Sequence, residues 1–160
     1  TKKYKIQHSL ILNKFILIFL IIQILLPFRH FLFKGYVDYN GIGQRFAWRM
    51  KIMYKEAAIN YFIINKITGQ KYEVDISKML TNKQYNNIKY FPDLIIPLAK
   101  KIKTEAKEKF NIQNAKIVCE YNLNFMGRGN RVFFNPNRDL TKIPKNTLTN
   151  KWLFELSPEN

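Results

Sequence analysis

The side chains best suited to nucleophilic or metal chemistry are few in this 160-residue chain. The single cysteine, Cys119, excludes an internal disulfide and any metal cluster built from cysteines. Because Cys119 lies in a strand-like stretch, we expect a small buried apolar residue and not a nucleophile. The two histidines, His8 and His30, lie on opposite sides of a long apolar run, so we do not expect them to share a metal site. The sequence therefore predicts no metal centre and identifies no catalytic residue.

A second group of side chains is suited to binding an apolar molecule. Phe46, Trp48 and Met50 begin a series in which every second residue is apolar, and Arg49 stands among the residues between them. This period of two predicts a strand over residues 46–54 with one apolar face. Aromatic and sulfur-containing side chains exclude water and pack against apolar ligands. A tryptophan on such a strand is equally typical of the inner face of a sheet.

The third chemical feature is positive charge, which amounts to +16 over the whole chain. Residues 35–160 carry 21 basic and 11 acidic side chains, a net charge of +10. A basic surface favours anionic lipid headgroups, acidic peptides or nucleic acid as partners. The lysines are scattered as on a solvated surface, and no nucleic-acid recognition motif accompanies them. Nucleic acid is therefore not an expected partner.

A long apolar segment precedes these residues. Residues 9–26 are almost all aliphatic or aromatic, and Pro27 ends the run. A helix needs roughly twenty residues to cross the hydrocarbon core of a bilayer. The alternatives are a buried helix of a soluble protein and a cleaved signal peptide, but the bulky residues after Pro27 do not suit a cleavage site. We expect residues 1–34 to be the last transmembrane helix, with its interfacial exit, of a longer membrane protein.

Residues 35–160 are predicted to form one α+β domain, a mainly antiparallel sheet with two helices packed on it. The expected strands are 46–54, 59–65, 70–76, 114–125 and 131–134. Thr81, with Gln84 three residues later, predicts the capping box of a short helix. Pro92 opens a longer helix whose apolar residues form one stripe.

The last two expected strands enclose a hairpin tip at residues 126–130. After Pro136 the chain is expected to be irregular. Residues 152–154, Trp-Leu-Phe, are predicted to dock back onto the domain because they are its last apolar cluster.

Several short motifs are informative through their order and spacing along the chain. They include Leu-Leu-Pro-Phe-Arg-His-Phe-Leu at 25–32 and Phe-Ala-Trp-Arg-Met at 46–50. The remaining ones are Gly35-Tyr36, Tyr90-Phe91-Pro92-Asp93, Leu98-Ala99 and Phe133-Phe134-Asn135-Pro136. Together they resemble the vitamin K-dependent gamma-carboxylase family, which includes bacterial membrane proteins carrying the so-called HTTM domain. The resemblance covers most of residues 23–140.

The resemblance implies a multi-span membrane enzyme, a carbon–carbon lyase that uses vitamin K hydroquinone with oxygen and carbon dioxide as co-substrates. In the family, oxidation of the hydroquinone generates a strong base that removes the γ-proton of a peptide glutamate, and carbon dioxide then adds. Such a base requires a dry pocket. The family's proton-abstracting lysine belongs to the N-terminal membrane half, so no lysine of this chain is assigned that role. We therefore expect this fragment alone to be inactive.

The resemblance also implies the site residues. His30, Phe46, Trp48 and Met50 match the family's motifs position by position and are the predicted substrate-binding residues. Trp48 and Met50 would wall off water beside the quinone and the substrate glutamate. His30 would hydrogen-bond a quinone oxygen or a carboxylate at the membrane surface. The domain is expected on the non-cytoplasmic side, by resemblance only.

Three residues depart from the pattern of the animal enzymes. Arg49 replaces an acid, Lys51 replaces a second methionine, and Met53 replaces a histidine. A second function therefore stays open. In that alternative the chain is a membrane-anchored basic domain that binds acidic peptides or anionic lipids without catalysis.

Overall fold

The computed structural model of the protein describes residues 2–33, 35–48, 50, 53–144 and 152–156. The chain begins with helix α1 (Lys2–Leu25), and a 3-10 helix (Leu26–Leu32) follows directly. We call this second element the exit helix. Pro27 lies in its first turn, where a residue without an N–H is tolerated.

Helix α1 is long, and its side chains from Leu10 to Leu25 are exposed. Leu10–Leu32 is the one span among the described residues that is long and apolar enough to cross a membrane. Only 6% of its most apolar window is buried within the structure. A core helix of a soluble protein would be mostly covered, so that alternative does not fit. A signal sequence shares the length, composition and N-terminal position, so the membrane assignment rests on length and composition alone.

The domain beyond the exit helix is built on a four-stranded antiparallel sheet. Its strands are β1 (Lys55–Asn65), β2 (Lys71–Val74), β3 (Ala115–Phe125) and β4 (Asn130–Val132), in the spatial order β2-β1-β3-β4. Strands β1 and β3 pair along their whole length, from Lys55 opposite Phe125 to Asn65 opposite Ala115. Lys55 and Phe125 therefore mark one end of the sheet, and Asn65 marks the other.

Helices cover one face of this sheet. A short helix α2 (Val37–Asn40) follows the exit helix, and α3 (Asn82–Tyr90) and α4 (Ile95–Phe110) connect β2 to β3. The largest fully buried sheet side chains alternate along the strands, as period two requires, and include Tyr61, Ile117, Cys119, Tyr121 and Leu123. Helix α4 buries Ile95, Ala99, Ile102 and Ala106.

Two tyrosines tie the helices to the sheet. The Tyr61 hydroxyl donates to the carbonyl of Ile95 at 3.2 Å, and the Tyr121 hydroxyl donates to the carbonyl of Lys89 at 3.3 Å. Both side chains are fully buried, so these bonds satisfy hydroxyls that would otherwise be costly to bury. The expected α+β class is confirmed, with α3 and α4 as the two helices.

The predicted strand at 46–54 is wrong for the residues that the structure describes there. Residues 46–48, 50, 53 and 54 lie outside any strand, Phe46 has a φ of +60°, and residues 49, 51 and 52 lie outside the described part. The reason is the length of β3, the strand that pairs with β1. Strand β3 ends at Phe125, and the chain then turns at Met126, whose N–H donates to the carbonyl of Tyr54 at 3.0 Å. No strand pairs with the described residues at 46–48, 50 and 53–54, so alternation alone does not make a strand of them.

The other strands predicted before residue 126 and the two predicted helices are present in the structure. The expected strand 59–65 forms the last seven residues of β1. The expected strand 70–76 contains β2, and the expected strand 114–125 is one residue longer than β3. The capping box of Thr81 and Gln84 is confirmed at the start of α3. The longer helix begins with a 3-10 turn, Pro92–Leu94, before α4.

The C-terminal apolar cluster packs where the sequence predicts. Trp152 is buried, and its ring centroid lies 5.2 Å from that of Phe134. Leu153 forms an isolated bridge with Phe134, and the N–H of Phe154 donates to the carbonyl of Phe133 at 2.9 Å. Strand β4 ends at Val132 and not at residue 134, because Phe134 pairs with this returning segment instead.

Candidate functional site

The exit helix holds His30 in a fixed position. The side chain is 8% exposed, and Nδ1 donates to the carbonyl of Pro27 at 2.9 Å. The imidazole also packs on Phe31, with ring centroids 4.1 Å apart. The bond to Pro27 leaves Nε2 as the ring atom for a further partner. His30 thus stabilises the exit helix first and has one nitrogen left for binding.

The loop after α2 packs against the exit helix through a glycine. Gly43 has a φ of +73°, and a Cβ there would lie 2.7 Å from Cδ2 of Phe33 and 3.0 Å from Cα of His30. Only glycine permits both this backbone conformation and this approach. The guanidinium of Arg29 lies 5.6 Å from the centre of the Phe46 ring, a cation–π contact. His30 and Phe46 are therefore brought to the same end of the domain, linked by Arg29.

The other predicted binding residues are strongly exposed. Phe46, Trp48 and Met50 are 74%, 76% and 81% exposed. Two clefts of about 770 and 670 Å³ lie elsewhere, along β2, and none of the predicted residues lines them. The structure thus places these three side chains on an open apolar surface beside the exit helix and excludes Trp48 from the sheet core.

Two buried polar atoms near this surface have no hydrogen-bond partner within the described chain. One is Nε of Arg29, a donor, and the other is Oε1 of Gln44, an acceptor. The Gln44 amide nitrogen makes only a long contact, 3.9 Å, to Sδ of Met53. Unsatisfied buried groups are uncommon because each costs free energy.

The most perturbed charged group here is one that sequence reasoning missed. Lys55, the first residue of β1, is 4% exposed, and its Nζ donates to the carbonyl of Tyr39 at 2.9 Å. Burial lowers the pKa of Lys55 to about 8, and the negative charge of Asp38 partly opposes this change. The Phe125 ring centre lies 5.9 Å from Nζ. In a strand, every second side chain lies on the same face. Lys55 lies four residues before the buried Ile59, so extending the strand back to residue 55 would have predicted its burial.

The described residues show binding groups and no nucleophile poised for reaction. Cys119 is fully buried, as expected, and burial raises the pKa of its thiol, so the thiolate is disfavoured. Among these residues no cluster of three or more His, Cys, Asp or Glu side chains is placed to hold a metal ion. The arrangement offers a ligand apolar contacts and one free imidazole nitrogen.

The chain matches one family model, described as vitamin K-dependent gamma-carboxylase, lumenal domain, over residues 8–159. No curated protein and no solved structure matches it significantly. The match begins within α1, runs through the exit helix and the whole sheet, and ends beyond the docked Trp152 segment. With nearly its full length matched, this chain belongs to the vitamin K-dependent gamma-carboxylase lumenal-domain family.

Proposed function

We propose that the chain forms the lumenal-domain part of a membrane enzyme that couples oxidation of vitamin K hydroquinone to carboxylation of peptide glutamate. The observation that carries this proposal is the family match over residues 8–159. In this proposal residues 1–34 form the last span and its exit, and residues 35–160 form a domain on the non-cytoplasmic side. The apolar span Leu10–Leu32 supports membrane attachment.

The proposed substrate surface consists of His30, Phe46, Trp48 and Met50. The exposed rings and the thioether offer apolar contact to a quinol, and His30, whose Nδ1 is bonded to Pro27, keeps Nε2 for a quinol oxygen or a carboxylate. When bound, the hydroquinone would supply, with oxygen, the strong base that the reaction needs. The role of these residues is to bind and orient the substrates and to exclude water. Because the surface is open here, a second wall is needed to close it.

The test compares two exposed apolar residues in the product of the complete gene. Trp48 and Ile67 are both 76% exposed, but Ile67 follows Asn65 at the opposite end of the sheet. We expect carbon dioxide fixation into a glutamyl peptide to depend on reduced vitamin K. Trp48→Ala should lower that fixation, whereas Ile67→Ala should leave it unchanged. Equal rates for both variants would remove Trp48 from the site.

The alternative of a basic binding domain is favoured by one observation, the net charge of +10 over residues 35–160. The same fixation assay, combined with a peptide-binding measurement, distinguishes this alternative from the enzyme. If a glutamyl peptide binds but no carbon dioxide is incorporated into it in the presence of reduced vitamin K, binding without catalysis is supported. Salt should then weaken the binding, because exposed charges are screened.

A further inference from the structure

The loop of residues 41–46, which ends at Phe46, packs on the Tyr-Phe-Pro-Asp motif at residues 90–93. Gly41 has a φ of +71°, and a Cβ there would lie 2.8 Å from the carbonyl oxygen of Tyr90 and 2.9 Å from Cδ of Pro92. A larger residue would push the loop away from the motif. The proposed reaction assigns no task to this motif, but the motif fixes where the loop begins.

Arg45 attaches the other end of the loop to the same motif. Its Nη2 lies 2.8 Å from Oδ2 of Asp93, and its Cζ lies 5.4 Å from the centre of the Phe91 ring. We call these two contacts the Arg45 clamp. Both side chains of the ion pair are about half exposed, so the pair contributes little to the stability of the domain. Its effect is on direction, because a planar guanidinium meets a carboxylate and an aromatic face at once.

Phe46, the next residue, has a backbone conformation that needs support. Its φ is +60°, in the left-handed region, which costs free energy for a residue that has a Cβ. The turn around it is closed by the N–H of Ala47, which donates to the carbonyl of Gln44 at 3.3 Å. On the other side, the Arg29 guanidinium lies over the ring. Such strained residues persist only where the surrounding structure holds them, and they are concentrated at functional sites.

We infer that Arg45 is a positioning residue, whose clamp on Phe91 and Asp93 holds Phe46 in the orientation that the proposed substrate surface requires. The inference rests on the proposed function and gives the 90–93 motif a task in it. Arg45 itself binds the motif, whereas Phe46 is the side chain offered to the substrate. Without the clamp, residue 46 is free to relax to a negative φ, and its ring then leaves the Arg29 guanidinium.

The test uses the product of the complete gene and a matched ion pair elsewhere on the domain. Arg45→Met removes the charge and keeps a long side chain, and Arg45→Lys keeps the charge. The control is Lys71→Met. Lys71 Nζ lies 2.9 Å from Oε1 of Glu120 and 3.7 Å from the centre of the Phe62 ring, and this ion pair is also about half exposed. The control therefore breaks the same two kinds of contact on the sheet.

We expect Arg45→Met to raise the KM for reduced vitamin K in carbon dioxide fixation by about fivefold, with kcat little changed. Arg45→Lys should recover most of this loss, and Lys71→Met should leave the KM unchanged. Asp93→Asn added to Arg45→Met should make the KM no worse than Arg45→Met alone, because both changes break one interaction.

Hydrogen exchange of the backbone amides of residues 41–47 measures the clamp without any enzyme activity. Arg45→Met should make this exchange faster, whereas Lys71→Met should not. Exchange that Arg45→Met leaves unchanged would overturn the inference. So would faster exchange accompanied by a wild-type KM, because the loop would then be held without serving the substrate surface. A wild-type protein that fixes no carbon dioxide contradicts the proposed function instead, and exchange still decides whether Arg45 holds the loop.

Discussion

Lys55 is a cation buried at the end of the sheet nearest the exit helix. Its pKa is lowered from the ordinary value of 10.5 to about 8, first by burial. Below pH 8 the folded and unfolded chains both carry the proton, so the full cost of burying the charge is present. Between pH 8 and 10.5 the folded chain has released the proton and the unfolded chain has not. The contribution of Lys55 to the free energy of unfolding therefore rises as the pH increases from 8 to 10.5.

We predict that Lys55→Met removes this pH dependence. The free energy of unfolding of the variant minus that of the wild type should be largest near pH 7 and should decrease by about 3 kcal/mol towards pH 10. Urea unfolding at several pH values measures it. Taking the difference cancels contributions from Cys119 and Tyr61, whose pKa values burial raises. Lys83→Met, at an exposed site, controls for net charge. A difference independent of pH would contradict a buried, protonated Lys55.

At the scale of elements, the sequence predicts an interaction correctly where the interacting residues lie close together in the chain. The capping box of α3 is an example. The Thr81 Oγ1 accepts from the N–H of Gln84 at 3.3 Å, and the Gln84 Oε1 accepts from the N–H of Thr81 at 2.9 Å. Four residues suffice to form it, and so four residues suffice to predict it.

Removal of this cap should weaken α3 measurably. We predict that Thr81→Ala lowers the free energy of unfolding by about 1 kcal/mol, because the N–H of Gln84 loses its partner. The control is Thr104→Ala, an exposed threonine within α4 that bonds only to the carbonyl of Lys100. Alanine is the better helix former there, so stability should stay equal or rise. Denaturant unfolding of both variants decides; an equal loss in the two would contradict the role of the cap.

The returning C-terminal segment is the element whose contribution depends most on packing. Trp152 is 5% exposed against Phe134, whereas Phe154 is 50% exposed. We predict that Trp152→Ala costs about 3 to 5 kcal/mol, the usual range for a buried tryptophan. Phe154→Ala should cost less than about 1 kcal/mol, because its backbone bond to Phe133 remains. Unfolding followed by circular dichroism compares them, and similar losses would mean that the segment is not docked.

At the scale of the whole molecule, the exposure of the proposed substrate surface limits what residues 1–160 can do alone. Phe46, Trp48 and Met50 face outwards. A base strong enough to remove a glutamate γ-proton would be quenched by water at such a surface.

We therefore predict no carboxylation by the isolated 160-residue chain, even with reduced vitamin K, oxygen and a glutamyl peptide. The measurement is incorporation of labelled carbon dioxide into the peptide. Membranes containing the product of the complete gene serve as the positive control. Incorporation by the isolated chain that requires reduced vitamin K would show that these residues form a complete active site.

The sequence by itself determined the features that depend on near neighbours or on composition. The apolar span before Pro27, the capping box at Thr81, the apolar stripe of α4 and the α+β class were all predictable. The family motifs also pointed to the relationship that the match over residues 8–159 shows.

Only the tertiary structure decided which side chains are covered. Residues 46–54 alternate like a strand, yet β1 begins at Lys55 because β3, its partner, ends at Phe125. The same register turns Lys55 inwards, whereas Trp48, which lies outside any strand, is exposed; both are the reverse of what polarity predicts. Burial of a residue depends on where a distant segment stops, and no local pattern contains that information.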